Sequence, residues 1–300
     1  MHRQLNRTRS VDVRVLTHQV SVDPARGVVI KRFVQAGRGE PDREWRALTL
    51  LAEHAPGLAP EPIMADLAGH PPVIEMSLLP GEPLGGQPLT EAQESALVRA
   101  LEQLWQSVPV GRVVPLPGEA GNEAQLLSAV RDLAVQAQDL GDDAVVRAAH
   151  SAGLDWLSWA VGESGRLVGQ PSYPDPGGGS GTGWQGVPPV FGQADANLAN
   201  FLWDGQRVRI VDFEDSGVSD RPLELALLVE HISVWRDSAL DGEQFIAAFD
   251  LSRAERSRLA DCRRLAALDW LLYLRPGGEA SSRNPPGTLR RQAERLLALL

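Results

Sequence analysis

Residues 190–220 read VFGQADANLANFLWDGQRVRIVDFEDSGVSD. Two apolar pieces, Asn200–Trp203 and Val208–Phe213, flank Asp204-Gly205. Asp-Gly between β-type runs is a strong hairpin signal. Polar residues sit at the outer end of each arm: Asp195 and Asn200 before the first, Asp212 and Glu214 at the close of the second. A hairpin brings its outer ends side by side, so these residues are expected to share one small volume. Clustered carboxylates raise one another's pKa and repel unless a cation sits among them. Oxygen ligands of this kind suit a hard ion such as Mg²⁺, commonly shared with substrate phosphates. Taken alone, the stretch also reads as a solvated hairpin with acidic ends, so the rest of the chain must decide.

The chain has 300 residues, 43% hydrophobic and 23% charged. That composition is globular, and the length allows a large core or two lobes sharing a cleft. A net charge of −10 argues against nucleic-acid or anionic-membrane partners and favours a cationic small substrate. The single cysteine, Cys262, rules out a disulfide within the chain, fits a reducing cytosol, and is expected to be a buried structural thiol. The basic start MHRQLNRTRS is not followed by an apolar targeting segment, and no run approaches the roughly 18 apolar residues of a membrane span. The expectation is a cytoplasmic protein without a membrane partner.

Working outward, Val11, Val13, Val15, Val20 and Val22 alternate with polar residues, and residues 23–27, DPARG, form a turn. Residues 28–33, VVIKRF, read as a buried strand that carries Lys31. A lysine there either sends its head to water or needs a carboxylate partner. Residues 42–54 form a helix with Glu44 in its first turn, where the helix dipole favours an acid and from where it can reach Lys31. Strands follow at 63–66 and 72–79, then a Gly/Pro-rich linker at 81–88. This places a small, mostly β lobe at residues 1–80 and a helical lobe at 81–300, with helices at about 90–107, 122–138, 142–161, 222–236, 242–249, 252–274 and 288–300. Residues 169–189 are almost all Gly, Pro and Ser and read as an exposed insertion. The GxGxxG inside it, Gly181–Gly186, lacks the strand and helix of a dinucleotide site. His18, His54, His70, His150 and His231 lack ligand spacing and read as surface or capping residues, while Trp156 and Trp159 read as core.

The chain has no GxxxxGK[ST], HExxH or GxSxG motif. A small lobe with a lysine and a helical glutamate, a linker, and a helical lobe with an acidic hairpin suit phosphoryl transfer. On these residues the chain resembles the aminoglycoside phosphotransferase family, related to choline, homoserine and fructosamine kinases. The family's H-x-D-x-x-x-x-N loop aligns with Gln193–Asn200, its D-[FW]-[EG] element with Asp212-Phe213-Glu214, and its G-x-x-D-x-x-x-[DE]-L-A segment with Gly217–Ala226. The resemblance implies an α+β, bilobal protein-kinase-like fold. It implies γ-phosphate transfer from ATP or GTP, with Mg²⁺, to a hydroxyl of an aminoglycoside-like or metabolite substrate.

Residue by residue, the resemblance implies that Asp195 takes or orients the acceptor proton and that Asn200 and Asp212 hold Mg²⁺. Lys31 would contact the phosphates, oriented by Glu44. Glu75, Met76, Ser77 and Leu78 would form the hinge whose backbone binds the purine. Asp220 and Glu224 would brace the loop, Trp235–Asp237 would lie near the acceptor cleft, and Glu214 stays open between metal, substrate and solvent. Two departures stand out: Gln193 replaces the usual histidine and Ala194 the usual glycine. The alternative reading is a nucleotide-binding regulator of the same fold, in which Gln193 marks lost catalysis.

Overall fold

The computed structural model describes residues 18–113 except 36, 123–137, 140–162, 167 and 186–300 except 239. The strand expected over Val11–Val15 and nearly all of the Gly/Pro/Ser insertion, with its GxGxxG, lie outside the described residues.

The small lobe is a four-stranded antiparallel sheet of order β1-β2-β4-β3. Its strands are β1 (His18–Asp23), β2 (Val28–Phe33), β3 (Pro62–Asp66) and β4 (Val73–Ser77), with α1 (Glu40–His54) between β2 and β3. Alternation in β2 puts Val29, Lys31 and Phe33 on one face, with Lys31 and Phe33 buried, while Val28 is buried on the other. The β1–β2 register pairs Val20 with Lys31 across the Asp23–Gly27 turn. Helix α1 starts two residues earlier than the hydrophobic period indicates, because Gly39 in the left-handed region and Pro41 in the first turn open it. It buries Ala47, Leu48 and Leu51 toward the sheet.

The chain leaves this sheet at Ser77 and joins a second one at β5 (Glu82–Pro83), which pairs with β7 (Phe201–Trp203). β7 pairs in turn with β8 (Val208–Ile210). The expected hairpin is therefore present but shorter. Asp204 Oδ1 accepts from the amides of Gln206 and Arg207 to close its loop, and the chain past Ile210 leaves the strand before Asp212. A third ladder, β6 (Val190–Gly192) with β9 (Gly217–Ser219), frames the same region.

Around these strands lie α2 (Glu91–Ser107), α3 (Val110–Val113), α4 (Glu123–Gln136), α5 (Ala144–Val161), α6 (Arg221–Glu230), α7 (Gly242–Ala247), α8 (Arg253–Tyr273), α9 (Glu279–Arg283) and α10 (Thr288–Leu299). Thr90 and Ser252 open α2 and α8 with capping boxes, each satisfying two otherwise orphaned amides. One core runs through both lobes, from Phe33, Leu51 and Ile74 to Leu97, Phe201 and Phe213. A second joins α4, α5, α8 and α10 through Leu127, Leu268 and Leu296.

Three expectations need correction. The helix expected over 222–236 ends at Glu230, and a separate π-helical segment follows at Ser233–Ser238. The break at 276–287 contains α9. Trp156 packs against the second core, but Trp159 is 42% exposed, one position too far round α5 to reach it. Cys262 is buried, as expected.

Candidate active site

Between the lobes lies an open cleft enclosing about 210 Å³. Lys31 stands at its inner end, 4% exposed. β2 aims it inward, and acids on two other elements meet it. Lys31 Nζ donates to Glu44 Oε2 at 3.0 Å and to Asp212 Oδ1 at 2.5 Å, the latter from 181 positions away. Glu214 Oε2 lies 3.0 Å from the same ammonium, and His18 Nδ1 lies 3.2 Å from that oxygen. Burial alone would lower the Lys31 pKa; the carboxylates of Glu44, Asp212 and Glu214 overcome it and hold the group well above its ordinary value. Burial pushes Glu44 upward, and Asp212 adds like charge. For Glu214 burial is outweighed by His18 and Lys31, which hold it at about 2.

Glu44, Asp212 and Glu214 offer oxygens within 4.8 Å of one another, the spacing of a metal cage. Their common centre is taken by the Lys31 ammonium, so this triad is not the predicted cation site. The predicted pair, Asn200 and Asp212, lines the cleft together. Asn200 Nδ2 donates to Asp195 Oδ2 at 2.8 Å. That fixes the orientation of the amide and leaves its carbonyl oxygen, a hard-ion donor, for another partner. Asp212 keeps its second carboxylate oxygen besides the one on Lys31. This oxygen pair fits Mg²⁺.

Asp195 lies between β6 and the 3₁₀ turn Leu198–Asn200. Its Oδ1 accepts from the Asn197 amide at 3.2 Å. Burial first, and the Asp212 carboxylate second, push its carboxyl up to about 6. A carboxylate so poised is suited to accept a proton near neutral pH. Before it, Ala194 has φ 67° and Asp212, across the loop, φ 64°. Both are in the left-handed region, which costs a residue with a Cβ about 1–2 kcal/mol.

Gln193 holds the two strained positions together. Its Nε2 donates to Val211 O and to Asp212 O, each at 3.0 Å, and the side chain is buried. A primary amide supplies two protons from one nitrogen, which an imidazole nitrogen does not. Gln193 thus ties two successive carbonyls through one nitrogen. Glu224 Oε2 accepts from the amides of Gln193 at 3.1 Å and Ala194 at 3.4 Å. A Cβ on Gly192 would come within 2.3 Å of Glu224 Oε1, so only glycine admits this approach. Asp220 caps α6 through the Leu223 amide at 2.9 Å and takes both Nε and a terminal nitrogen of Arg258, at 2.9 and 2.7 Å.

Met76, Ser77 and Leu78 line the cleft beside Leu79, but Glu75 turns away and takes Arg26 at 2.5 Å. The Ser77 amide donates to Glu61 O and the Leu78 amide to Gly27 O, at 2.9 and 2.8 Å, so both serve the sheet. Trp235 is buried between Arg291 and Arg295, whose guanidinium carbons lie 5.0 and 5.4 Å from its ring. It is therefore not a free wall of an acceptor cleft.

A profile of the phosphotransferase enzyme family matches residues 12–262. The chain belongs to this family. It is accordingly a phosphotransferase. No curated protein sequence matches it. Its fold is shared with a choline/ethanolamine kinase family protein from Mesorhizobium loti, at 18% identity and TM-score 0.55 over 95% of this chain and 85% of that one. It is shared with spectinomycin phosphotransferase APH(9)-Ia, solved with ADP and spectinomycin, at 15% identity and TM-score 0.53 over 90% and 81%. A thermostable mutant of aminoglycoside phosphotransferase APH(4)-Ia, solved with AMP-PNP and hygromycin B, matches at 14% identity and TM-score 0.57 over 94% and 93%. Among the described residues no helix is long and apolar enough to cross a membrane.

Of the residues singled out in the sequence, the fold brings Lys31, Glu44, Asp195, Asn200 and Asp212 together. Glu214, left open, points at Lys31. His18, read as a surface or capping residue, lies in the cleft against Glu214. Only its place on a strand five residues before Asp23 could have signalled this, since β1 must cover whatever β2 presents.

Proposed function

We propose that this phosphotransferase moves the γ-phosphate of ATP to a hydroxyl group of a small molecule, of aminoglycoside or metabolite type, with Mg²⁺. The single observation that carries the reading is the chain of contacts Glu44–Lys31–Asp212 at the inner end of the cleft, with Asp195 and Asn200 beside it. Lys31 would bind phosphate oxygens, and Glu44 keeps it charged and aimed. Asn200 and Asp212 would hold Mg²⁺, which supplies positive charge to the phosphates. Asp195 would accept the proton of the acceptor hydroxyl. In the hinge, Leu79 has no backbone hydrogen bond among the described residues, so its amide is the donor we assign to the purine. The paired hydrogen bonds of Gln193 support an active enzyme over a silenced regulator, because they fix the loop that a lost histidine would leave slack.

The test is turnover of ATP and of GTP over a panel of aminoglycosides and hydroxylated amines, with and without Mg²⁺. Acceptor-dependent release of ADP is expected. Tight Mg²⁺-dependent nucleotide binding with no acceptor-dependent turnover would favour the regulator instead.

A further inference from the structure

The π-helical segment Ser233–Ser238 interrupts the chain just after α6. Such segments are rare and concentrate at functional sites. Its first residue makes a contact that packing does not require. The amide of Leu198, which opens the 3₁₀ turn Leu198–Asn200, donates to Ser233 Oγ at 3.1 Å, across 35 positions of sequence. Ser233 Oγ lies 2.7 Å from His231 Nδ1, and the Ser233 amide donates to that same nitrogen at 3.1 Å.

The direction of every proton in this group follows from donor counting. Leu198 N and Ser233 N can only donate. His231 Nδ1 must therefore carry a lone pair, the Ser233 hydroxyl must donate to it, and the hydroxyl oxygen is left to accept from Leu198. The imidazole is held edge-on to Trp270, with ring centroids 4.9 Å apart, so it cannot swing away freely. Burial, with Arg236 adding to it against Asp237, keeps His231 at about 4, in keeping with an unprotonated ring nitrogen.

We infer that Ser233, oriented by His231, is a positioning residue for the catalytic loop: it anchors the Leu198 amide and so sets where Asn200 presents its oxygen. The inference rests on the reading of Asn200 as a metal ligand. Asn200 is two residues beyond the anchored amide, in the same 3₁₀ turn, and its side-chain Nδ2 is spent on Asp195. Its freedom along the chain is thus removed at one end by Ser233 and at the side chain by Asp195. Removal of groups that orient a metal ligand typically costs 10–100-fold in metal affinity.

The experiment uses the full chain, with AMP-PNP as the probe, titrated with Mg²⁺ and with EDTA. Amide exchange of the peptide spanning Leu198 is measured without metal. Ser233→Ala is expected to lose about tenfold of the affinity gained on adding Mg²⁺ while its affinity in EDTA is unchanged. Leu198 exchange should accelerate in Ser233→Ala and in His231→Phe, and Ser233→Thr, which keeps the oxygen, should restore both readouts. Wild-type behaviour of Ser233→Ala in both readouts overturns the inference. So does an equal loss with and without Mg²⁺, which would mark a merely structural role. If wild type gains no affinity from Mg²⁺, the metal reading of the site fails, and exchange at Leu198 alone decides whether Ser233 anchors the loop.

Discussion

Replacing Gln193 by leucine removes two donors and keeps much of the volume. In the native protein its Nε2 satisfies Val211 O and Asp212 O, each at 3.0 Å, in a buried position. Leaving a buried acceptor without a partner costs about 1–3 kcal/mol. Two such acceptors put the loss for Gln193→Leu at about 2–6 kcal/mol. Histidine can return one of the two donors, so Gln193→His should lose roughly half as much. Gln193→Glu sets a carboxylate against two carbonyl oxygens and should be the worst of the three at neutral pH. Guanidinium unfolding at pH 7 reads these differences directly. Because Asp212 sits at φ 64° under this bond, the leucine variant should also bind AMP-PNP with less help from Mg²⁺. A leucine variant within about 1 kcal/mol of wild type, below the cost of even one orphaned acceptor, would refute the argument.

Asp195→Asn keeps the shape of the loop but removes the base; kcat is expected to fall by about 10²–10⁴-fold with AMP-PNP affinity retained, and unchanged turnover would exclude Asp195 from proton transfer. Ala194→Gly relieves a left-handed alanine worth about 1–2 kcal/mol against the roughly 0.5–1 kcal/mol of backbone freedom that glycine loses. A net stabilisation of up to about 1.5 kcal/mol should appear in denaturant unfolding, and a destabilised variant would refute the strain at Ala194. Asp269, on α8, has its carboxyl pushed up to about 7 by burial. The folded state then holds this proton to higher pH than the unfolded chain, whose Asp titrates near about 3.9. Its ionisation therefore weakens the fold as pH rises from about 4 to about 7. Asp269→Asn should raise the unfolding midpoint at pH 8 and do so much less at pH 4.5; a pH-independent difference would contradict it.

The parts of the site that could be read from sequence are those whose chemistry depends on local spacing. Asp195 and Asn200 are five apart on one loop, and Asp212 closes a hairpin whose Asp-Gly turn is visible. Lys31 stands out because a cation in an apolar strand needs a partner. What escaped depends on segments meeting in space. The approach of His18 and Glu214 to Lys31 requires β1 to fold over β2 and the loop carrying Asp212 to turn back under both. The work of Gln193 could not be read because its acceptors are main-chain carbonyls, which every residue has. The end of α6 at Glu230 was missed because residues 231–236 keep a helical apolar period. The stop comes from His231 accepting the Ser233 amide in place of a helical carbonyl.

Two neighbouring residues of α1 hold opposite sides of the cleft floor. Glu44 grips Lys31, and Arg43 donates through Nε to the carbonyl of Glu214 at 2.6 Å and through a terminal nitrogen to Arg38 O at 2.5 Å. An outward swing of this helix must break the ion pair and the main-chain clamp in a single motion. An inhibitor that wins potency by wedging α1 aside therefore meets two coupled barriers in this protein. One shaped to the cleft as it stands meets neither.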